Sequence, residues 1–346
     1  MNDAAAELDR AVVEDYLRAH LDGFRGPLTA TKFPTGQSNP TFLLDSPGGK
    51  YVLRRKPPGQ LLKSAHAVDR EFRVITALQG SDVPVPRPHL LCADESVIGA
   101  MFYVMEYCAG RNFQDPRVPE VGTADRAAIY DDMNRVLAAL HSVDIDAVGL
   151  TDYGRPGNYF ERQIARWTKQ YRASETGTIE AMDGLIDWLA GNTPADDGRV
   201  GLVHGDYRID NMIFDARAPR VIAVLDWELS TLGHPFADLG YQCMQWRMPT
   251  GPIGRGLDGV VRAALGIPSE ADYVARYCRR MGIAAIPDWP FYLAFSFFRL
   301  AAIIQGVKKR ALEGNASNPE RAKQLGTLVP VLAEKAIDLA INGDSI

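Results

Sequence analysis

The sequence predicts an α+β fold in two lobes: an antiparallel five-stranded sheet with a helix in the first, and mainly helices in the second. Three observations carry that prediction. Up to about residue 107 the chain alternates short extended runs with Gly- and Pro-containing breaks, interrupted once by a helical pattern. Beyond CAGRNF the apolar spacing becomes helical over long stretches. The exception is the segment 200–226, whose short apolar runs carry polar residues at their ends, an arrangement suited to a site. At 346 residues, 46% hydrophobic and 23% charged, the chain can bury one large core or two moderate ones.

In chain order, MNDAAAELDRAVVEDYL has a helical period. It is acidic and lacks an apolar stretch behind positive charge, so it does not read as a secretory signal. LTATKF, TFLLD and KYVLRRK, separated by TGQSNP and SPGG, form an antiparallel meander. AHAVDREFRVITALQ follows with Val68, Phe72, Ile75 and Leu78 at helical spacing, then VPVPRP and two further strands, HLLCA and AMFYVMEY. A boundary near Cys108, where AGRN resembles a linker, divides the chain into 1–107 and 108–346. DRAAIYDDMNRVLAALHSV typifies the helices that come next. The greasiest run, 291–307, is interrupted by Arg299 and falls short of the roughly 20 apolar residues that cross a bilayer, so it is expected to be a buried helix.

Lys and Arg total 38 against 43 Asp and Glu, a formal charge of -5, which disfavours a nucleic-acid partner. Cys92, Cys108, Cys243 and Cys278 are widely spaced, with no C-x-x-C pair, and suggest buried thiols in a reducing compartment. The expectation is a cytoplasmic protein with no membrane partner.

The chemistry is concentrated in RVGLVHGDYRIDNMIFDARAPRVIAVLDWE. MIF and VIAVL, joined by DARAPR, are expected to pair as a hairpin, making Asn211 and Asp226 neighbours in space. Phosphoryl transfer needs hard oxygen ligands for Mg²⁺, a carboxylate to take the nucleophile's proton, and positive charge on the phosphates. Asp206 lies five residues before Asn211, the interval between base and metal ligand in the H-x-D-x-x-x-x-N loop of protein kinases, and Asp226 then matches the metal-binding Asp of D-F-G. A competing reading takes His204, Asp206, Asp226, His234 and Asp238 as ligands of a metallohydrolase. Such an enzyme has no need of a strand meander bearing a cation followed by a helix bearing an acid. His204, wedged between an apolar strand and a glycine, is expected to support the loop rather than shuttle protons.

HGDYRIDN, followed by VLDWE and HPFADLGY, resembles the aminoglycoside phosphotransferases and their relatives, the choline and fructosamine kinases. The resemblance runs from about Phe33 to Gly306. YVLRRKPPG, REF and LDWELSTLGHPFADLGY are more similar still to the kinase-like domain fused to some acyl-CoA dehydrogenases. It implies a protein-kinase-like bilobal fold in which 1–107 binds nucleotide and 108–346 carries the catalytic loop and acceptor site. The implied activity is transfer of the γ-phosphate of ATP, with Mg²⁺, to a small-molecule hydroxyl. Asp206 would act as base and Asn211 and Asp226 would ligate magnesium.

Arg54 is expected on the α and β phosphates, since V-x-R mirrors the A-x-K of V-A-I-K; Lys56, on the same strand face, is the fallback. Glu71 is its expected partner, with Asp69 the alternative. Ser38 and Asn39 are candidate phosphate donors in the loop between the first two strands. Glu106 and the backbone around Tyr107 and Cys108 are candidates for the adenine. Asp238 is expected to accept backbone N–H groups of the catalytic loop, and Glu228 is left between solvent, metal-bound water and substrate.

For the acceptor, the second lobe mixes Arg166, Lys169, Arg172 and Arg247 with acids such as Glu161, which does not single out a cationic guest. The resemblance implies a hydroxy acid or hydroxyacyl-CoA, with Arg279 and Arg280, or Lys308, Lys309 and Arg310, as candidate contacts for anionic phosphates. An aminoglycoside acceptor and a non-catalytic nucleotide-binding module are the alternatives. A protein kinase is disfavoured because WELSTLGHPFADLG follows Asp226 at once, leaving no room for a long activation segment. Monomer and homodimer both remain open.

Overall fold

Asp9 opens the first helix, α1 (Arg10–His20), by accepting the backbone N–H groups of Ala11 and Val12 at 3.1 and 3.2 Å. The computed structural model describes residues 8–33, 39–57, 67–314 and 318–343. Five strands follow: β1 (Thr29–Lys32), β2 (Thr41–Ser46), β3 (Gly49–Arg55), β4 (Pro88–Cys92) and β5 (Phe102–Glu106), with α2 (Val68–Ala77) between β3 and β4. They form one antiparallel sheet in the order β1-β2-β3-β5-β4: β1 to β3 are the expected meander, and it is β5, not β4, that pairs with β3.

Because strand side chains alternate, the sheet has two apolar faces. Phe42, Leu44, Leu53, Phe102 and Val104 pack on Val13 and Leu17 of α1. Val52, Tyr103 and Met105 pack on the other face with Val68, Val74 and Ile75 of α2, and this cluster continues into the second lobe. The β3–β5 register sets Arg54 opposite Tyr103, placing both polar groups on the α2 side.

Past β5 the chain is fastened to the second lobe within a few residues. Arg111 gives its N–H to the Phe214 carbonyl at 2.7 Å and receives the Phe214 N–H at 2.8 Å. Gly110 is required there, since a Cβ would lie 2.2 Å from the Phe214 oxygen. The second lobe then runs α3 (Thr123–His141), α4 (Tyr159–Ser174), α5 (Glu180–Gly191), β6 (Gly201–Val203), β7 (Met212–Phe214), β8 (Val221–Val224), β9 (Thr231–Gly233), α6 (Phe236–Met244), α7 (Arg262–Leu265), α8 (Glu270–Met281), α9 (Trp289–Leu312), α10 (Pro319–Gly326) and α11 (Leu328–Asn342). β7 pairs with β8 as the expected hairpin, and β6 with β9.

α9 corrects one sequence expectation. The helix is 24 residues long, so by length and composition it could cross a bilayer. Its surroundings identify it as the core helix: α4, α6, α10 and α11 pack around it, and 72% of its most apolar stretch is buried. The Phe160 ring of α4 sits among Phe291, Tyr292 and Phe295, with centroids 5.1–5.3 Å away.

Candidate active site

β3 delivers Arg54 to the seam between sheet and second lobe. Its Nε lies 2.9 Å from Glu71 Oε2, and its Nη2 lies 2.5 Å from Asp226 Oδ1 and 3.6 Å from Glu228 Oε2. The Tyr103 hydroxyl, from the neighbouring strand, donates to the same Glu71 oxygen at 2.9 Å. Period-two alternation on β3 and helical period on α2 thus converge on one ion pair, Arg54 with Glu71. Lys56 and Asp69 take no part in it.

Three carboxylates face one guanidinium here. Burial raises Glu71 first, and Asp226 and Glu228 add to it against the pull of Arg54, so Glu71 is pushed up to about 8. Arg54 is desolvated as well, yet Glu71, Asp226 and Glu228 hold its pKa above the ordinary arginine value. Oxygens of Glu71, Asp226 and Glu228 all lie within 4.8 Å of one another, and Glu71 Oε1 is buried without a hydrogen-bond partner.

The catalytic loop between β6 and β7 is built differently. Asp238, at the start of α6 and fully buried, accepts the backbone N–H groups of His204 and Gly205 at 2.6 and 2.8 Å. His141 lies 3.4 Å from the same carboxylate and is itself 2.8 Å from the Tyr277 hydroxyl. Gly205 turns the loop at φ +84, where a Cβ would stand 2.7 Å from the Leu229 oxygen, so only glycine fits between histidine and aspartate. His204 accepts the Asp206 N–H at Nδ1, 3.1 Å away, which assigns its Nε2 as donor to the Leu225 carbonyl at 2.9 Å. His204 and Asp238 therefore hold the loop, as their sequence context indicated.

Asn211 donates from its side-chain amide to both the backbone oxygen and Oδ2 of Asp206, each at 2.9 Å. It also accepts the Leu225 N–H at its own carbonyl, 2.8 Å away, which sets Asp226 beside it at the mouth of the hairpin. Asp226 adopts the left-handed conformation at φ 66, tolerated by aspartate and rare in larger residues. Burial pushes Asp206 up, but Arg208 and His204, with bonds from Tyr241 and Asn211, outweigh it and hold the carboxyl below its ordinary value. It is therefore an ionised acceptor at neutral pH.

The oxygen donors suit a hard divalent cation. The Asn211 amide oxygen and Asp226 Oδ2 accept no hydrogen bond among the described residues, and the surplus of carboxylate over guanidinium charge beside them calls for positive charge.

The nucleotide-contact expectations fare unevenly. Ser38 lies outside the described residues. Asn39 is turned inward at 1% exposure, and its amide donates to Glu228 Oε2 at 3.3 Å, which sets it beside the Arg54–Asp226 corner. Glu106 is occupied by Arg87, whose N–H it accepts at Oε2 while its own N–H goes to the Arg87 carbonyl. The backbone of Tyr107 and Cys108 follows directly after β5. The Cys108 thiol is pushed up to about 12 by burial and then by Glu106, so it stays neutral. Of the second-lobe charges, Arg172 is paired with Glu175 and Asp183, Arg247 with Glu270, and Arg280 with Asp131.

Four residues of the site carried no signal sufficient to single them out. Arg208 lies 3.3 Å from Asp206 Oδ1 and 3.0 Å from Asp210 Oδ2, and Arg255 reaches the same Asp210 oxygen at 3.2 Å. Tyr241, one helical turn after Asp238, bonds the Asp206 carboxylate. Arg208 and Asp210 stand inside HGDYRIDN and were visible as part of the motif. Arg255 and Tyr241 reach the site only through the tertiary fold.

Comparison with known proteins gives four findings. The model of the phosphotransferase enzyme family matches residues 29–293. Mouse acyl-CoA dehydrogenase family member 10 is 48% identical over 336 residues, covering 95% of this chain but 31% of that protein, so the chain corresponds to under a third of that relative's length. A crystal structure of a Ralstonia eutropha JMP134 protein, provisionally assigned as an aminoglycoside phosphotransferase, superposes with a TM-score of 0.88 at 50% identity, covering 98% of this chain and all of that one. A more distant aminoglycoside phosphotransferase, solved with ADP and hygromycin B, shares the fold at 14% identity and a TM-score of 0.61, over 94% of this chain and 98% of its own.

Proposed function

The chain belongs to the phosphotransferase enzyme family, and from that membership we propose that it moves the γ-phosphate of ATP to a hydroxyl of a small hydroxy acid or hydroxyacyl thioester. One observation supports this most: a continuous path of ion pairs and hydrogen bonds runs from the first lobe to the loop that carries Asp206. Glu71 holds Arg54, Arg54 reaches Asp226, and the neighbouring Leu225 backbone joins Asn211 and His204, whose ring receives the Asp206 N–H.

In this reading Arg54 orients the α and β phosphates, and its bond to Glu71 fixes the guanidinium plane. Asp226 and Asn211 would hold Mg²⁺, which neutralises charge on the transferring phosphoryl group when bound. Asp206 accepts the acceptor hydroxyl's proton; its low basicity suits a loose transition state in which the proton leaves late and the carboxylate mainly aims the nucleophile. Asn211 fixes that carboxylate from one side and Arg208 from the other. The backbone of Tyr107 and Cys108 receives the adenine. The acyl part of the proposal draws on the names of relatives such as the mouse protein. We place the chemistry in the cytoplasm on the strength of its four free thiols.

The test is an ADP-release assay with Mg-ATP against hydroxyacyl-CoAs, free hydroxy acids, aminoglycosides, choline and sugar amines, run on wild type and Asp206→Asn. Turnover stimulated by hydroxy acids or their thioesters and lost in the variant is expected. Robust turnover of an aminoglycoside with none of a hydroxyacyl compound would replace this acceptor class, and failure to bind ATP would end the kinase reading.

A further inference from the structure

Arg299 interrupts the most apolar run of the chain, and the fold does not supply it with a counter-ion. It lies on α9 at 6% exposure and, among the described residues, makes neither a hydrogen bond nor an ion pair. Its guanidinium rests on two rings, 5.6 Å from the centre of Trp167 on α4 and 5.2 Å from that of Tyr241 on α6. Such contacts return about 0.5–2 kcal/mol, and the guanidinium nitrogens, which are not sealed from solvent, keep their donors available to a ligand.

Arg126, buried to the same 6%, shows how this protein settles an internal guanidinium: it bonds the carbonyls of Val118, Val121 and Leu265. Arg299 has no such set. Its position supplies the reason. The Tyr241 ring under it carries the hydroxyl that bonds Asp206, so the unpaired cation sits one tyrosine away from the base. Arg208 and Arg255, the other cations at this end of the site, are already engaged by Asp206 and Asp210. Arg166 adds a further positive charge 5.3 Å from the Trp167 ring centre.

We propose that Arg299 is the receptor for an anionic group of the phosphoryl acceptor, making this residue specificity-determining and the acceptor a hydroxylated anion rather than a polycation. The inference rests on the reading of Asp206 as the base that receives the acceptor hydroxyl. The anion has two possible sources, the carboxylate of a free hydroxy acid or a phosphate of a CoA thioester.

The experiment uses the full chain and four probes of matched carbon skeleton: hydroxy acids, their primary amides, their CoA thioesters and their phosphate-free N-acetylcysteamine thioesters. Each is titrated calorimetrically without ATP and assayed for ADP release with wild type, Arg299→Met and Arg299→Lys. The expected result is at least a tenfold rise in Kd and KM for charged probes in Arg299→Met, partly recovered in Arg299→Lys, with KM for ATP unmoved. A rise seen with the free acids assigns the carboxylate; one seen with CoA thioesters but not with N-acetylcysteamine thioesters assigns the phosphate. Equal effects on charged and uncharged probes, or none, overturn the proposal. Should Arg299→Met fail to fold, the wild-type preference for acid over amide, or for CoA over N-acetylcysteamine ester, decides, and absence of both preferences overturns it. Anion binding lost in Arg299→Met without any turnover in wild type would sink the kinase reading and leave the receptor standing. Turnover indifferent to Arg299 would do the reverse.

Discussion

The base and the cation corner of this site are separated by one hairpin, yet they are held by opposite means. Around Asp206 the geometry is finished by the protein itself: Asp238 takes two backbone N–H groups, the His204 ring bonds on both sides, and the Asn211 amide closes on the carboxylate. Around Arg54 three carboxylates share one guanidinium, and Glu71 is pushed up to about 8 by burial and then by the crowding of Asp226 and Glu228. The first corner is pre-organised, and the second is balanced for charge only when a cation joins it. In the proposed function, the nucleophile's side of the transfer is set by hydrogen bonds alone, while the leaving side waits for its ligand.

That contrast is open to breakage, and the largest effect tests the finished corner. Asp206→Asn keeps the shape and removes the base, so turnover should fall by about 10²–10⁴-fold while ATP affinity measured by calorimetry stays within error. A comparable loss of ATP affinity would show that the two corners are not separable.

Next comes Asp238→Ala, which strips a buried acceptor from two backbone donors and should cost about 3–5 kcal/mol of stability, read by urea unfolding. Burial raises Asp238, but His141, His204 and the Gly205 N–H outweigh it, so its folded pKa lies below the ordinary 3.8. Its stabilisation is then fully present above the unfolded value and is lost as pH falls through the folded one. The stability gap between wild type and Asp238→Asn should stay constant near neutrality and narrow only in strong acid.

A smaller effect is expected from Glu71→Gln. It should raise KM for ATP about tenfold, roughly 1.4 kcal/mol, without lowering stability in the absence of magnesium, because it relieves the crowding of acids. A marked loss of metal-free stability would show this corner to be as self-contained as the other. The smallest is Glu228→Gln, which keeps an acceptor for Asn39 and removes one of the corner's acids; a two- to threefold rise in the magnesium needed for half-maximal rate, about 0.5 kcal/mol, is expected.

Where chemistry was carried by neighbours in sequence, it was legible. Asp206 and Asn211 share one loop, Asn211 and Asp226 bracket one hairpin, and the five strands were marked by Gly and Pro at their ends. Arg54 with Glu71 was legible through the likeness of V-x-R to the A-x-K of V-A-I-K and of REF to the acid of the following helix, since strand alternation alone left Lys56 on the same face. Tyr241, Arg255 and Arg299 were not, since their part depends on how α6, α9 and a long loop settle on the catalytic loop. The bond from Asn39 to Glu228, 189 residues away, was not legible, because a loop asparagine looks the same in sequence whether it faces solvent or an acid of the other lobe.

The two backbone bonds between Arg111 and Phe214 fasten the chain to the strand that follows Asn211. Between the end of β5 and those bonds only residues 107–110 intervene. The chain thus passes from the sheet that carries Arg54 to the strand beside Asn211 in a single short step, and the Val224 N–H on the Pro84 carbonyl and Arg70 on the Tyr153 carbonyl stitch the same two lobes again, so Arg54 is held against Asp226 from both ends of the sheet.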